Sequence, residues 1–393
     1  MLSSTQRVSR DYSALQAGES RIRRSGSLLS DQDLDLLWLH EAGAIPLDER
    51  QAQEAILEAC VASSEITDLR RPDDRPDVSV IMSTYRDASV ILNALKSIPR
   101  AAGKLDWEVI VVDASSPTDE RTACLDWAQE HNSLCYIRTP GRIGIYSAWN
   151  LAITMSRGKF ITPLSANDLV LSDAYPTMLE QFDKHPNLGL VFGDTLISES
   201  PISHERDFMP HPTEASTFTW SECNLEKLTS QCMVGPHPMW RAELHKTLGY
   251  YDDRLPALAD QDFALRVAFA SEVKHVPTPT GIYTWSDVAT SAAGQDRDDE
   301  RLLLDMRYQW RYAQRYGVSP VPHRDELVGQ AMRAALTARR AKDTAQEITL
   351  LLYAIAMDPY EPRAFTRLEA LQSHSERILP FLIESARIRE EEA

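Results

Sequence analysis

The sequence predicts an α/β protein built on a mostly parallel sheet flanked by helices, with helical extensions at both ends. Three observations carry that prediction. From Val78 onward, short apolar runs alternate with stretches of helical spacing. Those runs end in clusters of polar residues, as strands do when they deliver side chains to one sheet edge. Beyond about Pro322 the chain becomes Ala-, Leu- and Arg-rich with helical periodicity, which predicts a helical appendage rather than more sheet. Strands separated by helices pair in parallel through right-handed crossovers, and ligands of such sheets bind at the carboxyl ends of the strands.

Each element follows in order. Residues 1 to about 30 place Arg7, Arg10, Arg21, Arg23 and Arg24 among serines, which predicts a mobile arm. Leu34 to Leu39 and Ala52 to Ala59 have rough helical spacing, predicting two helices that end near Ser64. Arg71-Pro72-Asp73-Asp74-Arg75-Pro76 is a polar, Pro-bearing linker. The predicted division is therefore an arm and helical extension over 1–75, a sheet domain over 76–318 and a helical appendage over 319–393. Within the sheet domain, strands over 78–82, 108–112, 134–138, 160–163 and 188–192 alternate with helices around 87–98, 118–130, 146–157 and 174–185. Further helices are predicted over 241–248 and 260–270. Near the end, Tyr353 to Pro359 resembles the second helix of a tetratricopeptide-like unit, too little to make a repeat array.

Composition narrows the function classes. At 393 residues, with 43% hydrophobic and 25% charged residues, the chain is ordinary for a globular protein of two or three domains. No apolar run approaches the roughly 18 residues of a membrane span, and the Ser- and Arg-bearing start lacks the apolar core of a secretory signal. Five cysteines (Cys60, Cys124, Cys135, Cys223, Cys232) form no C-x-x-C pair. Reduced thiols in a cytoplasmic protein are expected, rather than disulfides or a zinc site. A net charge of −17 argues against nucleic-acid binding. It also requires that any diphosphate ligand be neutralised locally, by a metal ion or a few well-placed cations.

Four segments in fixed order hold the candidate chemistry: Asp77 to Tyr85, Trp107 to Asp113, Lys159 to Asp168, and Ala259 to Arg266. Between them lies Pro140 to Asn150, where Gly141 and Gly144 permit close backbone approach and a helix N-terminus favours negative charge. In order and residue type this set resembles the family 2 inverting glycosyltransferases of the GT-A fold, over roughly residues 77 to 290.

The resemblance implies a division of labour. Ser83, Thr84 and Tyr85 would cradle the nucleoside of a nucleotide-diphosphate sugar, with the Tyr stacking, and Asp113 would read the base. The family's usual Asp-Asp-Gly-Ser is Asp113-Ala114-Ser115-Ser116 here, so one carboxylate is missing. Arg142 and Asn150 match the stretch beside the diphosphate. A divalent cation, Mn2+ or Mg2+, would sit on the family's Asp-x-Asp; this chain has Ser165-Ala166-Asn167-Asp168, which leaves Asn167 and Asp168 as the metal ligands. Such hard cations prefer oxygen ligands, and Asn167 offers a carbonyl oxygen without charge. Asp260, six residues before Arg266, matches the base that deprotonates the acceptor; its rival Asp262 points roughly 200° away around the helix. Asp194, His237 and Trp240 fall on the acceptor side, although a lone His such as His237 is more often a structural residue and Trp240 is equally readable as a core anchor. The Asn167-Asp168 tip and Asp260 are then expected to face one cleft from opposite walls.

The expected partners are a nucleotide-diphosphate sugar donor and a glycan, lipid-linked or protein acceptor, with no nucleic acid and no transmembrane segment. Gln309-Trp310-Arg311 lacks the spacing of processive polysaccharide synthases, which favours transfer of a single sugar. The altered Asn167-Asp168 run motivates one competing reading, a domain of this fold that has become a binding or scaffolding module.

Overall fold

The computed structural model describes residues 47–72, 75–209, 217–219, 223–230, 234–253 and 255–284, scattered helical residues within 300–316, and 324–358 and 361–371. The arm and the helix expected over 34–39 lie outside the described residues. The chain divides into two compact units: described residues up to Leu225, and from 234 to 284, belong to the first, and Glu226 to Ser230 with the residues from 300 onward to the second.

In the first unit, helix α1 (Leu47–Ser63) leads into strand β1 (Glu65–Asp68). The parallel centre of the sheet is β2 (Val78–Thr84), β3 (Trp107–Asp113), β4 (Leu134–Arg138) and β5 (Phe160–Pro163), in the order β4-β3-β2-β5. These strands are buried on both faces, so they read as unbroken apolar runs and not as an alternation. Helices α2 (Ile91–Ala102), α3 (Glu120–Ala128), α4 (Ile145–Thr154) and α5 (Ala174–Lys184) connect and cover them. Ile91, Leu95 and Ile98 of α2 lie three and four residues apart and enter one apolar cluster with Val80, Met82, Val109 and Val111.

The remaining strands are β6 (Leu169–Val170), β7 (Leu188–Ser198), β8 (Thr217–Phe218), β9 (Met239–Arg241) and β10 (Glu272–Thr284). The full order is β1-β4-β3-β2-β5-β9-β7-β10-β6, with β8 on β7. The longest ladders, β2 on β3 and β7 on β10, are parallel. Five of these strands were not anticipated. β6, β8 and β9 have two, two and three residues, too few to show a period. β1 has four residues with little burial and pairs antiparallel along β4. β10 carries Pro277 and Pro279, which lack backbone donors, and its register on β7 jumps on both sides of Pro279.

Helix α2 begins at Ile91 rather than near residue 87 because Asp87 serves the preceding loop: its side chain accepts from the Tyr85 amide at 2.9 Å. Helix α6 (Ala259–Ala270) covers the other half of the sheet. In the second unit, α7 (Arg324–Arg340), α8 (Thr344–Met357) and α9 (Pro362–Leu371) form the expected helical appendage. Val328, Ala331, Ala335 and Ala338 make the buried stripe of α7. Arg367 of α9 forks onto Glu347 of α8 at 2.6 and 3.1 Å.

Candidate active site

The carboxyl ends of β2 and β3 present two loops that are built as one piece. Thr84 Oγ1 and the Tyr85 amide both donate to Asp87 Oδ2, at 3.2 and 2.9 Å. The Arg86 amide donates to Ser116 Oγ at 2.9 Å, and the Asp87 amide to Glu120 Oε1 at 2.7 Å. That same Glu120 oxygen accepts from the hydroxyls of Ser116 and Thr118, at 2.8 and 2.7 Å. Glu120 therefore couples the loop after β2 to the loop after β3, a role the sequence did not reveal. Burial alone would raise its carboxyl, but the Thr118, Ser116 and Asp87 donors hold it below the usual range. Asp87 moves the other way, raised by burial and by the neighbouring Glu120 charge.

Each loop holds one non-glycine residue in the left-handed region, Arg86 at φ 66° and Ser115 at φ 57°. Such residues cost on the order of 1 kcal/mol or more and persist where the surroundings over-determine them, often at functional sites. Ser115 occupies the place where the resembling family has Gly, the residue this conformation favours.

Asp113 is enclosed and its oxygens are engaged from within. Oδ1 accepts from the Ser116 amide at 2.6 Å; Oδ2 accepts from Tyr136 Oη at 2.5 Å and from Arg138. It anchors the loop. Tyr85, by contrast, is half-buried, with the Arg142 guanidinium 4.4 Å and the Arg86 guanidinium 5.4 Å from its ring centroid. Both arginines are exposed, and among the described residues neither takes part in an ion pair.

Arg142 lies in the loop that leads through Gly144 into α4. Helix α4 in turn fixes the approach to α6. Tyr146 Oη donates to the Ala257 carbonyl at 3.3 Å, and Ser147 Oγ donates to Asp253 at 2.6 Å. The Asn150 carboxamide both donates to and accepts from the Tyr251 backbone, each at 2.9 Å. Asn150, expected beside the diphosphate, is enclosed and spends its polar atoms on this clamp.

In the first turn of α6 the two aspartates separate cleanly. Asp260 is exposed, and its Oδ1 accepts from the Gln261 amide at 2.8 Å. Asp262 is buried in an ion pair with Arg266 at 2.8 Å, and Arg266 also donates to the carbonyls of Leu248 and Tyr250.

The tip after β5 is not assembled as the sequence leads one to expect. Asn167 is half-buried, and its backbone carbonyl accepts from Thr284 Oγ1 at 2.7 Å. The Asp168 side chain is fully enclosed: Oδ1 accepts from the Thr284 amide at 2.7 Å, and Oδ2 lies 3.5 Å from His237 Nε2. His237 is sealed against Gly281, where a Cβ would come within 2.7 Å of the imidazole. The unforeseen β10 supplies Thr284 and Gly281, which enclose Asp168 and His237. A hard divalent cation requires several accessible oxygen ligands. Ser165 and Asn167 bring no charge, the Asp168 and His237 atoms are sealed from solvent, and no three His, Cys, Asp or Glu side chains converge among the described residues. The residues present do not fit the implied cation.

On the acceptor side, Trp240 is fully buried; its Nε1 donates to His245 Nε2 at 2.9 Å. With Nε2 accepting, His245 Nδ1 donates to the Gly249 carbonyl at 2.8 Å, and burial lowers this imidazole to about 4. Trp240 is thus a core anchor, not a sugar-facing wall. Asp194 is half-buried and meets His275 Nε2 at 2.7 Å and the Thr219 hydroxyl. Of the expected site residues, Ser83, Tyr85, Arg142, Asn167, Asp194 and Asp260 reach solvent, while Thr84, Asp113, Asn150, Asp168, His237 and Trp240 are enclosed.

This edge, with its two coupled loops, coincides with a recognised family. Residues 79–229 match the model of Glycosyl transferase family 2. The chain carries a family 2 glycosyltransferase domain. The match holds both coupled loops and Arg142 and stops before Asp260. Over 194 residues the chain is 23% identical to an uncharacterized glycosyltransferase of Methanocaldococcus jannaschii, covering 49% of this chain and 65% of that protein. Over 201 residues it is 23% identical to a chondroitin synthase of Escherichia coli, covering 51% of this chain and 28% of that one. Among solved structures it is similar to S. aureus TarS residues 1–349 in complex with UDP-GlcNAc, at 16% identity and a TM-score of 0.49, over 80% of this chain and 92% of that one. No helix among the described residues of this chain is long and apolar enough to cross a membrane.

Proposed function

We propose that the glycosyltransferase domain moves a single sugar from a nucleotide-diphosphate sugar to an acceptor hydroxyl, with inversion at the anomeric carbon. One observation carries the reading: Asp260 stands exposed in the first turn of α6, while Asp262, two residues on, is consumed by Arg266. Tyr85 offers a half-buried ring at the carboxyl end of β2 for the nucleoside, with the arginines beside it for the phosphates. Asp260 takes the acceptor proton as the acceptor oxygen attacks the anomeric carbon. The bond from that carbon to the diphosphate breaks on the opposite face, and the diphosphate leaves with the bonding electrons. The divalent cation implied by the resemblance enters no step of this mechanism, because Asp168 is withdrawn from the edge.

Nucleotide sugars screened for hydrolysis identify the donor, and kinetics on variants then test the base. Asp260→Asn is expected to lower turnover by about 10²–10⁴-fold, the usual worth of a general base, with nucleotide affinity within about twofold. Asp262→Asn strands the buried Arg266 and is expected to cost fold stability instead. Wild-type turnover in Asp260→Asn contradicts the assignment. The enclosed Asp168 favours one alternative, a domain that binds nucleotide without transfer; it predicts that the wild-type chain hydrolyses and transfers no sugar.

A further inference from the structure

We propose that this domain holds its nucleoside diphosphate with arginine in place of a divalent cation, Arg142 and Arg86 supplying the positive charge. The inference rests on the glycosyltransferase reading above and specifies how that site meets its phosphates.

In a chain of net charge −17, a diphosphate is repelled unless positive charge is concentrated where it lands. The tip after β5, where the resembling family places its cation, offers only the neutral Ser165 and Asn167 to the outside, and its single carboxylate is sealed with His237. The two guanidiniums at the same edge are the complementary half of that observation. Arg142 and Arg86 lie over one ring, Tyr85, at 4.4 and 5.4 Å, and both are exposed.

Other arginines of the same unit show that this is a selective feature. Arg138, at the end of β4, is spent on Asp113 and the Ser116 carbonyl. Arg70 and Arg157 are spent on Glu108. Arg86 and Arg142 are not spent in this way among the described residues. Arg86 is also held in its left-handed conformation from both sides, its own amide fixed by Ser116 and the next by Glu120. The Tyr85 face orients the guanidiniums by cation–π attraction. Guanidinium is planar, remains charged at any working pH, and donates two parallel hydrogen bonds to phosphate oxygens.

The test is calorimetric titration of the full chain with UDP and with GDP, once in EDTA and once in Mn2+. The expected result is binding of at least one diphosphate with affinities in the two buffers within about twofold. Arg142→Ala is expected to weaken it about tenfold or more, the double variant Arg86→Ala/Arg142→Ala further, and Arg142→Lys to recover part of the loss. Circular dichroism and the melting temperature check that these exposed substitutions leave the fold intact. Binding seen only with Mn2+ overturns the inference while leaving the glycosyltransferase reading in place, as does an unchanged affinity in the double variant. Absence of binding in both buffers overturns both.

Discussion

The two ends of the sheet each bury a carboxylate of β3, yet they treat their arginines in opposite ways. At the amino end, Glu108 accepts from Ser79 Oγ and the Arg157 amide, each at 2.6 Å, and from the guanidiniums of Arg157 and Arg70 at 3.0 and 3.1 Å. Arg70 goes on to Asp68 and the Met155 carbonyl, so the guanidiniums around this carboxylate close on the protein. At the carboxyl end, Asp113 is closed just as tightly, but Arg86 and Arg142 stand around Tyr85 outside any ion pair among the described residues. A buried carboxylate in this fold marks structure; exposed arginines beside a strained loop mark the edge proposed above for the ligand.

Breaking that symmetry gives the largest expected effect. Glu108→Ala strands two guanidiniums, one of them enclosed, and should cost about 3–5 kcal/mol in denaturant unfolding. Arg142→Ala at the other end should stay within about 0.5 kcal/mol of wild type. Equal losses at the two ends would erase the distinction.

A titration sharpens it next. His245 sits unprotonated between Trp240 and Gly249, with its pKa lowered by burial from 6.5 to about 4. The unfolded chain takes up a proton that the folded chain refuses between those values, so stability is complete above about pH 6.5 and falls as pH drops toward 4. The loss is on the order of 3 kcal/mol. Melting temperatures across that window should fall in wild type and fall less in His245→Gln. A smaller change is expected from Asn150→Ala, which removes both bonds to Tyr251: about 1–3 kcal/mol by unfolding. Because that clamp positions the approach to α6, turnover should drop more than nucleotide affinity does.

Much of the fold was legible because central strands buried on both faces leave unbroken apolar runs, and Val78 to Thr84 and Trp107 to Asp113 show this plainly. The strands that escaped notice were short, or, like β10, broken by Pro277 and Pro279. That gap had consequences for the site. Without β10 nothing in the sequence places Thr284 behind Asp168, which reads as a metal ligand, or Gly281 behind His237, which reads either way. Residue type and spacing locate a loop, whereas enclosure depends on what packs behind it. The separation of Asp260 from Asp262 was legible because helical geometry alone sends the two side chains to different faces. Glu120 left only the trace of an acidic residue opening a helix, and its coupling of two loops is visible only in three dimensions.

Hydrogen exchange measured with and without a nucleoside diphosphate tests most directly the claim that the ligand lands where arginine is left unspent. Amides in 84–90, 113–119 and 140–146 should gain protection on addition of the diphosphate, while those in 104–108 and 155–160 at the amino end should not change. Protection confined to the amino end, or shared equally by both, would contradict it.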